Sequence, residues 1–176
     1  MNTIIIIENK PYPLSRTLLY YCSGMGGAEL YSPRRCFRTK ADPNFHMILT
    51  DASAKITLPG SIVLFGNDSL SHCRTDLNGC TAVIHRFNYP ALRIAEHSQC
   101  DTVSYSISGN DTLTLAGSSD DEVFLSLRRS ILTSGGVIEP FDFLLKKQPG
   151  AADESILACA AVLLLCNAIK PDEAAG

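Results

Sequence analysis

The 176 residues contain no Gly-x-x-x-x-Gly-Lys-Ser/Thr loop, no Gly-x-Ser-x-Gly elbow, no His-x-His pair and no Cys-x-x-Cys. These absences remove the sequence support for a phosphate loop, for a strained serine nucleophile and for closely spaced metal ligands. Charge is scarce too: 19% of residues are charged, and 15 Lys and Arg stand against 18 Asp and Glu, a net charge of −3. Phosphate-backbone recognition needs a clustered basic excess, so this chain is not expected to bind nucleic acid by itself. Long apolar runs are missing as well. The longest, Ile156 to Ile169, spans about 21 Å as a helix, against about 30 Å of hydrocarbon. Met1 to Ile7 has no preceding basic residue and meets Glu8 at once, unlike a signal peptide. No membrane association is expected.

An ordinary apolar share of 45% points to a packed single domain over 1–176, with roughly two-thirds of the unfolded surface buried. The seven cysteines are odd in number and unpaired in spacing, which reads as small buried thiols in a reducing cytoplasm.

Residues 1–90 read as short strands punctuated by turn chemistry: Thr3 to Ile7, Thr17 to Cys22, Cys36 to Lys40, Phe45 to Thr50, Ala54 to Leu58, Ser61 to Phe65, Ser71 to Thr75 and Thr81 to Phe87. Asn78-Gly79 marks a tight hairpin. From 91 to 170 the pattern reads as helical, with Asn88 to Ser98 opening on Pro90. Ser118 or Ser119 caps a second helix whose face is Phe124, Leu127 and Ile131, Pro140 opens a third to Lys147, and Asp153 caps a last one ending at Pro171. That last helix is apolar nearly all round, and either a core position or a partner chain can bury it. Residues 171–176 form an acidic tail or linker. Charge follows the same division, with ten basic and seven acidic residues in 1–100 but five and eleven in 101–176.

Cys22 to Gly27 is a flexible glycine turn after a strand rather than a phosphate site, because Glu29 stands where the third glycine belongs. Arg34, Arg38 and Lys40 share one side of an extended stretch, either a solvated face or an anion contact. The histidines, His46, His72, His85 and His97, offer no metal spacing, and no metal or cofactor is expected. Asp120 to Glu122 is read as helix N-terminal charge.

The run from Phe45 to His72, with Pro59-Gly60-Ser61-Ile62-Val63-Leu64-Phe65 followed by His72, resembles the second motif of a small cupin barrel. Over residues 15–170, a cupin-like half followed by helices ending in a leucine-rich one is similar to the N-terminal domain of AraC-type transcription regulators. The resemblance implies an α+β fold, a small cupin-like β-barrel with two or three helices packed on it. It also implies a cytoplasmic domain that senses a small molecule or protein effector and forms a homodimer, DNA binding belonging to a C-terminal helix-turn-helix domain absent from this chain. Barrel-lining ligand candidates are Tyr21, Arg38, Phe45, Met47 and His72. Dimer candidates on the last helix are Ile156, Ala160, Leu163, Leu164 and Asn167, with Asn167 the polar position able to set register. A stand-alone cupin-type metal enzyme and an interaction module without a small-molecule ligand are the alternatives.

Overall fold

A computed structural model describes residues 2–9, 13–51, 58–67 and 76–171 of the protein. In chain order the elements are β1 (Asn2–Ile7), α1 (Pro13–Gly24), β2 (Ala28–Ser32), β3 (Arg35–Arg38), β4 (Phe45–Thr50), β5 (Ile62–Phe65), β6 (Thr81–His85) and α2 (Tyr89–Ser98). They continue with β7 (Asp101–Ser106), β8 (Leu113–Ser118), β9 (Glu122–Leu127), β10 (Ile131–Thr133), β11 (Gly136–Ile138), β12 (Phe141–Lys146) and α3 (Asp153–Leu165).

The isoleucine run explains the architecture. Ile4 to Ile7 are all buried, and a strand without polar alternation belongs where both faces are covered, as in a parallel sheet. β1 lies between β4 and β5 and is parallel to both. Alternation then sorts its side chains. Ile4 and Ile6 join a core with α1 and α3, whereas Ile5 and Ile7 join a second core with α2 on the opposite face. Ile62 and Leu64 of β5 divide from Val63 and Phe65 in the same way.

Among the described residues the main sheet has ten strands in the order β12-β9-β8-β7-β6-β5-β1-β4-β2-β3. Seven, from β8 to β2, run parallel, and β3, β9 and β12 add antiparallel margins. The fold is therefore mixed α/β with an open, mostly parallel sheet. It is not a closed barrel, because among the described residues β12 and β3 end the order without a further partner. This corrects the expected cupin-like barrel and its division at residue 90.

Three element assignments change with it. Thr17 to Cys22 lies in α1, where Leu14, Leu18, Tyr21 and Cys22 recur at helical spacing on the buried side. Ser119 does not cap a helix. Its hydroxyl and backbone bracket Glu122 in the β8–β9 turn, where Ser119 Oγ accepts the Glu122 N–H at 3.1 Å and the Ser119 N–H reaches Glu122 O at 2.9 Å. β9 buries Val123, Leu125 and Leu127 and exposes Glu122 and Phe124, and β12 buries Phe143 and Leu145 and exposes Asp142, Leu144 and Lys146. Both follow period two, not 3.6. Asn78-Gly79 is a turn, Gly79 at φ 74°, but it leads into a parallel strand rather than closing a hairpin. The strands expected at Ala54 to Leu58 and Ser71 to Thr75 lie outside the described residues, Leu58 excepted.

The helix from Asn88 is present. Asn88 Oδ1 accepts the Ala91 N–H at 3.2 Å as its N-cap, and Pro90 sits in the first turn. α3 begins after Ala152 rather than on a capping Asp153, whose carboxylate instead receives Lys147 Nζ at 2.8 Å and Ser118 Oγ–H at 2.7 Å. Every residue from Ile156 to Cys166 is buried, so α3 is the central core helix of the single chain.

Candidate functional site

Strand order reverses beside β1. From β1 the chain first builds outward through β2, β3 and β4, and then, from β5 onward, through the other side. In open α/β sheets ligands bind in the crevice at the carboxyl ends of the strands flanking such a point. A cavity of about 190 Å³ lies there, lined by Glu8, Asn9, Pro13, Leu14, Gly66, Asn67, Tyr105, Glu154 and Ser155. Each group arrives from an element end: Glu8 directly after β1, Gly66 and Asn67 directly after β5, Tyr105 near the end of β7, and Glu154 from the first turn of α3.

The crevice is held by short polar contacts. Glu8 is buried, and its Oε2 accepts the Ser15 N–H at 2.8 Å in the first turn of α1. The Glu8 N–H bonds Thr50 O at 3.2 Å and the Gly66 N–H bonds Ile7 O at 2.8 Å, which ties the two loops to the sheet. Asn88 donates its side-chain amide to Gly66 O at 2.7 Å, linking the cap of α2 to the floor of the site. Gly66 must be small: a Cβ there would meet Glu8 Cβ at 3.0 Å and Ile7 O at 3.2 Å. On the far wall Glu154 meets His85 Nε2 at 2.8 Å, and the His85 ring packs edge-on against Tyr105. Burial, reinforced by the charges of Glu154, Cys159 and Glu8, pushes the Tyr105 phenol well above its usual range. It stays protonated, and it lies 3.5 Å from Asn67 Oδ1.

The arrangement has a clear electrostatic sense. A helix N-terminus at the end of the first strand is the ordinary anion site of such folds, because its free N–H groups and dipole attract phosphate. Here the chain supplies its own anion, the Glu8 carboxylate. With Glu154 opposite, the cavity offers acceptors and negative charge, together with one phenol, one serine hydroxyl and the side-chain amides of Asn9 and Asn67.

The sequence-predicted ligand residues do not converge on this cavity. Tyr21 is buried in α1 and donates its hydroxyl to Lys146 O at 2.7 Å. Phe45 and Met47 are core residues of β4, and Arg38 lies in exposed β3 with its guanidinium bonded to Glu29. His72 lies outside the described residues. Of the dimer candidates, Ile156, Ala160, Leu163 and Leu164 have no accessible surface within one chain, so they pack in its core and leave no face for a partner helix. Asn167 lies beyond α3 at φ 54° and bonds Thr133 Oγ1 at 2.8 Å. It fixes the turn after the helix to the β10–β11 hairpin rather than a helix register.

Among solved structures the fold has a counterpart. One is "UDP-N-acetylmuramoyl-L-alanyl-D-glutamate--2, 6-diaminopimelate ligase", matched with a TM-score of 0.56 at 14% identity. The match covers 95% of this chain and 43% of that one, so the chain spans less than half of the ligase's length. At that identity the likeness concerns the fold alone. No family model matches the chain. No curated protein matches it either.

The site residues Glu8, Gly66, Asn67, Tyr105 and Glu154 escaped the reading of the sequence, yet a signal for three of them was there. Glu8 and Gly66-Asn67 are the first non-hydrophobic residues after the two most apolar strands, where parallel strands deliver functional groups. Tyr105 and Glu154 carried no comparable sign.

Proposed function

We propose that this chain is a binding module for a small polar molecule that carries an ammonium or similar donor group, held in the crevice beside β1. The observation that carries the reading is Glu8 at the N-terminus of α1, which puts a fixed carboxylate where this kind of sheet otherwise receives phosphate. Size supports it, since about 190 Å³ falls below the roughly 300 Å³ at which drug-sized sites begin. A sensing role of the kind implied by the regulator resemblance fits a binding module, with the ligand site moved from Tyr21, Arg38, Phe45, Met47 and His72 to Glu8, Asn67, Tyr105 and Glu154. Glu8 opposes a polyphosphate ligand by repelling it from the helix terminus.

Calorimetric titration of the whole chain with putrescine, lysine and ethanolamine, and separately with ATP and magnesium, tests this. The expected result is binding of at least one amine, weakened tenfold or more in Glu154→Gln, and no heat from ATP. ATP binding that survives in the wild-type chain and is unaffected by the amines would overturn the reading.

A further inference from the structure

The two margins of the sheet, β3 and β12, border one groove of about 960 Å³ along α1. Phe37 and Thr39 line it from the β3 side, Leu145 and Lys146 from β12, and Leu19 and Tyr20 from α1 below. Phe37 and Tyr20 are about half exposed, at 54% and 46%.

Both margins turn backbone groups away from the sheet, and that of Lys146 borders the groove. The Lys147 N–H bonds Asp121 O, so odd positions of β12 turn to β9 and the even positions, Asp142, Leu144 and Lys146, turn to the open margin. The Tyr21 hydroxyl reaches Lys146 O from that side, in agreement with this phase. On β3 the Thr39 N–H bonds Ala28 O, which leaves the even positions, Cys36 and Arg38, facing outward. Margins such as these, without a strand partner among the described residues, are templates for strand addition. Charge selects the guest: Arg16 and Lys146 line the groove, and no carboxylate does among the described residues.

We propose that the groove binds an extended segment of a partner protein in which apolar and acidic residues alternate. The segment adds a strand to β12, turns its apolar side chains to Leu19, Tyr20 and Phe37 on the α1 side, and turns its carboxylates on the opposite face to Lys146, with Arg16 adding positive field from the groove. From Arg16 to Met25 the floor runs about 14 Å along the helix. That length matches four to five residues of strand at about 3.3 Å each. This site is separate from the crevice at β1, and neither reading depends on the other.

The test uses fluorescein-labelled decapeptides, alternating Val-Glu and alternating Val-Lys, in anisotropy titrations against the full chain. A Val-Glu peptide N-methylated at alternate residues removes the donors that strand pairing needs. Expected are micromolar binding of Val-Glu, at least tenfold weaker binding of Val-Lys and of the methylated peptide, and a tenfold loss with the double variant R16E/K146E. Both positions are exposed, and Phe37→Ala gives a second, uncharged disruption should that variant melt early. Equal affinity for the two peptides, no binding up to 1 mM peptide, or indifference to N-methylation would overturn the proposal. So would sedimentation of the chain as a dimer that K146E dissociates, since a second copy would then own the groove.

Discussion

Glu29 displays how much a single buried carboxylate can organise. It is almost inaccessible, accepts Arg38 Nε–H at 2.8 Å, and has His46 Nδ1 at 3.3 Å. The Arg38 guanidinium is the main cause that holds its carboxyl below the usual range. Its contribution to stability is therefore full at neutral pH and is lost as pH falls through that lowered value. In Glu29→Gln the acid limb of a stability-against-pH curve should flatten, which urea unfolding between pH 2 and pH 7 would measure; an unchanged limb would deny Glu29 this role. Cysteines make a second residue-scale prediction. Burial raises the Cys22 and Cys159 thiols far above their ordinary range and Cys166 to about 12, whereas Cys36 is exposed. Iodoacetamide at pH 8 should alkylate Cys36 in the native protein and spare the other three until denaturant is added, as peptide mass mapping would report. Residue types alone made Arg38 a ligand candidate, but only the β2–β3 register reveals the Glu29 that already occupies it.

At the scale of elements, legibility followed the length and purity of the local pattern. β1, β4, β5, β6 and α2 were readable because apolar runs or a cap-proline pair mark them without competition. α1 was misread because Thr17, Tyr20 and Tyr21 are strand-favouring types, although Leu14 and Leu18 keep helical spacing. Ahead of β9 the Ser-Asp-Asp-Glu sequence imitates a capping box, and a tight turn satisfies the same serine hydroxyl. A test of an element end is Asn88→Ala, which deletes both the α2 cap and the bond to Gly66 O. A cap alone is worth about 1 kcal/mol, and leaving the buried carbonyl unmet adds about 1–3 kcal/mol. Equilibrium unfolding should register the sum, and a change below about 0.5 kcal/mol would show that Asn88 does not join helix to crevice.

For the molecule as a whole, strand order was the part the sequence could not disclose. β1 pairs with residues 45–50 and 62–65, and nothing local states which distant strand lies beside it or in which direction. The apolar α3 was legible as buried, but whether its cover came from this chain or another depended on which strands and helices pack against it. Since α3 packs against α1 and β5 to β8, its side chains should govern global stability. Leu163→Ala is expected to cost about 2–5 kcal/mol. Amides of Leu157 to Leu164 should exchange only by global unfolding, so exchange faster than that in native buffer would place the stable core elsewhere. The position of β1 has one further consequence, during synthesis. β1 is an interior strand that is made well before its partners, and β5 ends 58 residues after it in the chain. At about 5–20 residues per second that is roughly 3–12 s of translation. Until β4 follows, the nascent chain carries an isoleucine tetrad with both hydrogen-bonding sides vacant, and until β5 follows one side stays vacant, in a segment with the composition of an aggregation nucleus. Yield in the cell should then depend on the speed of the ribosome and on holdase chaperones as much as on the stability of the finished fold.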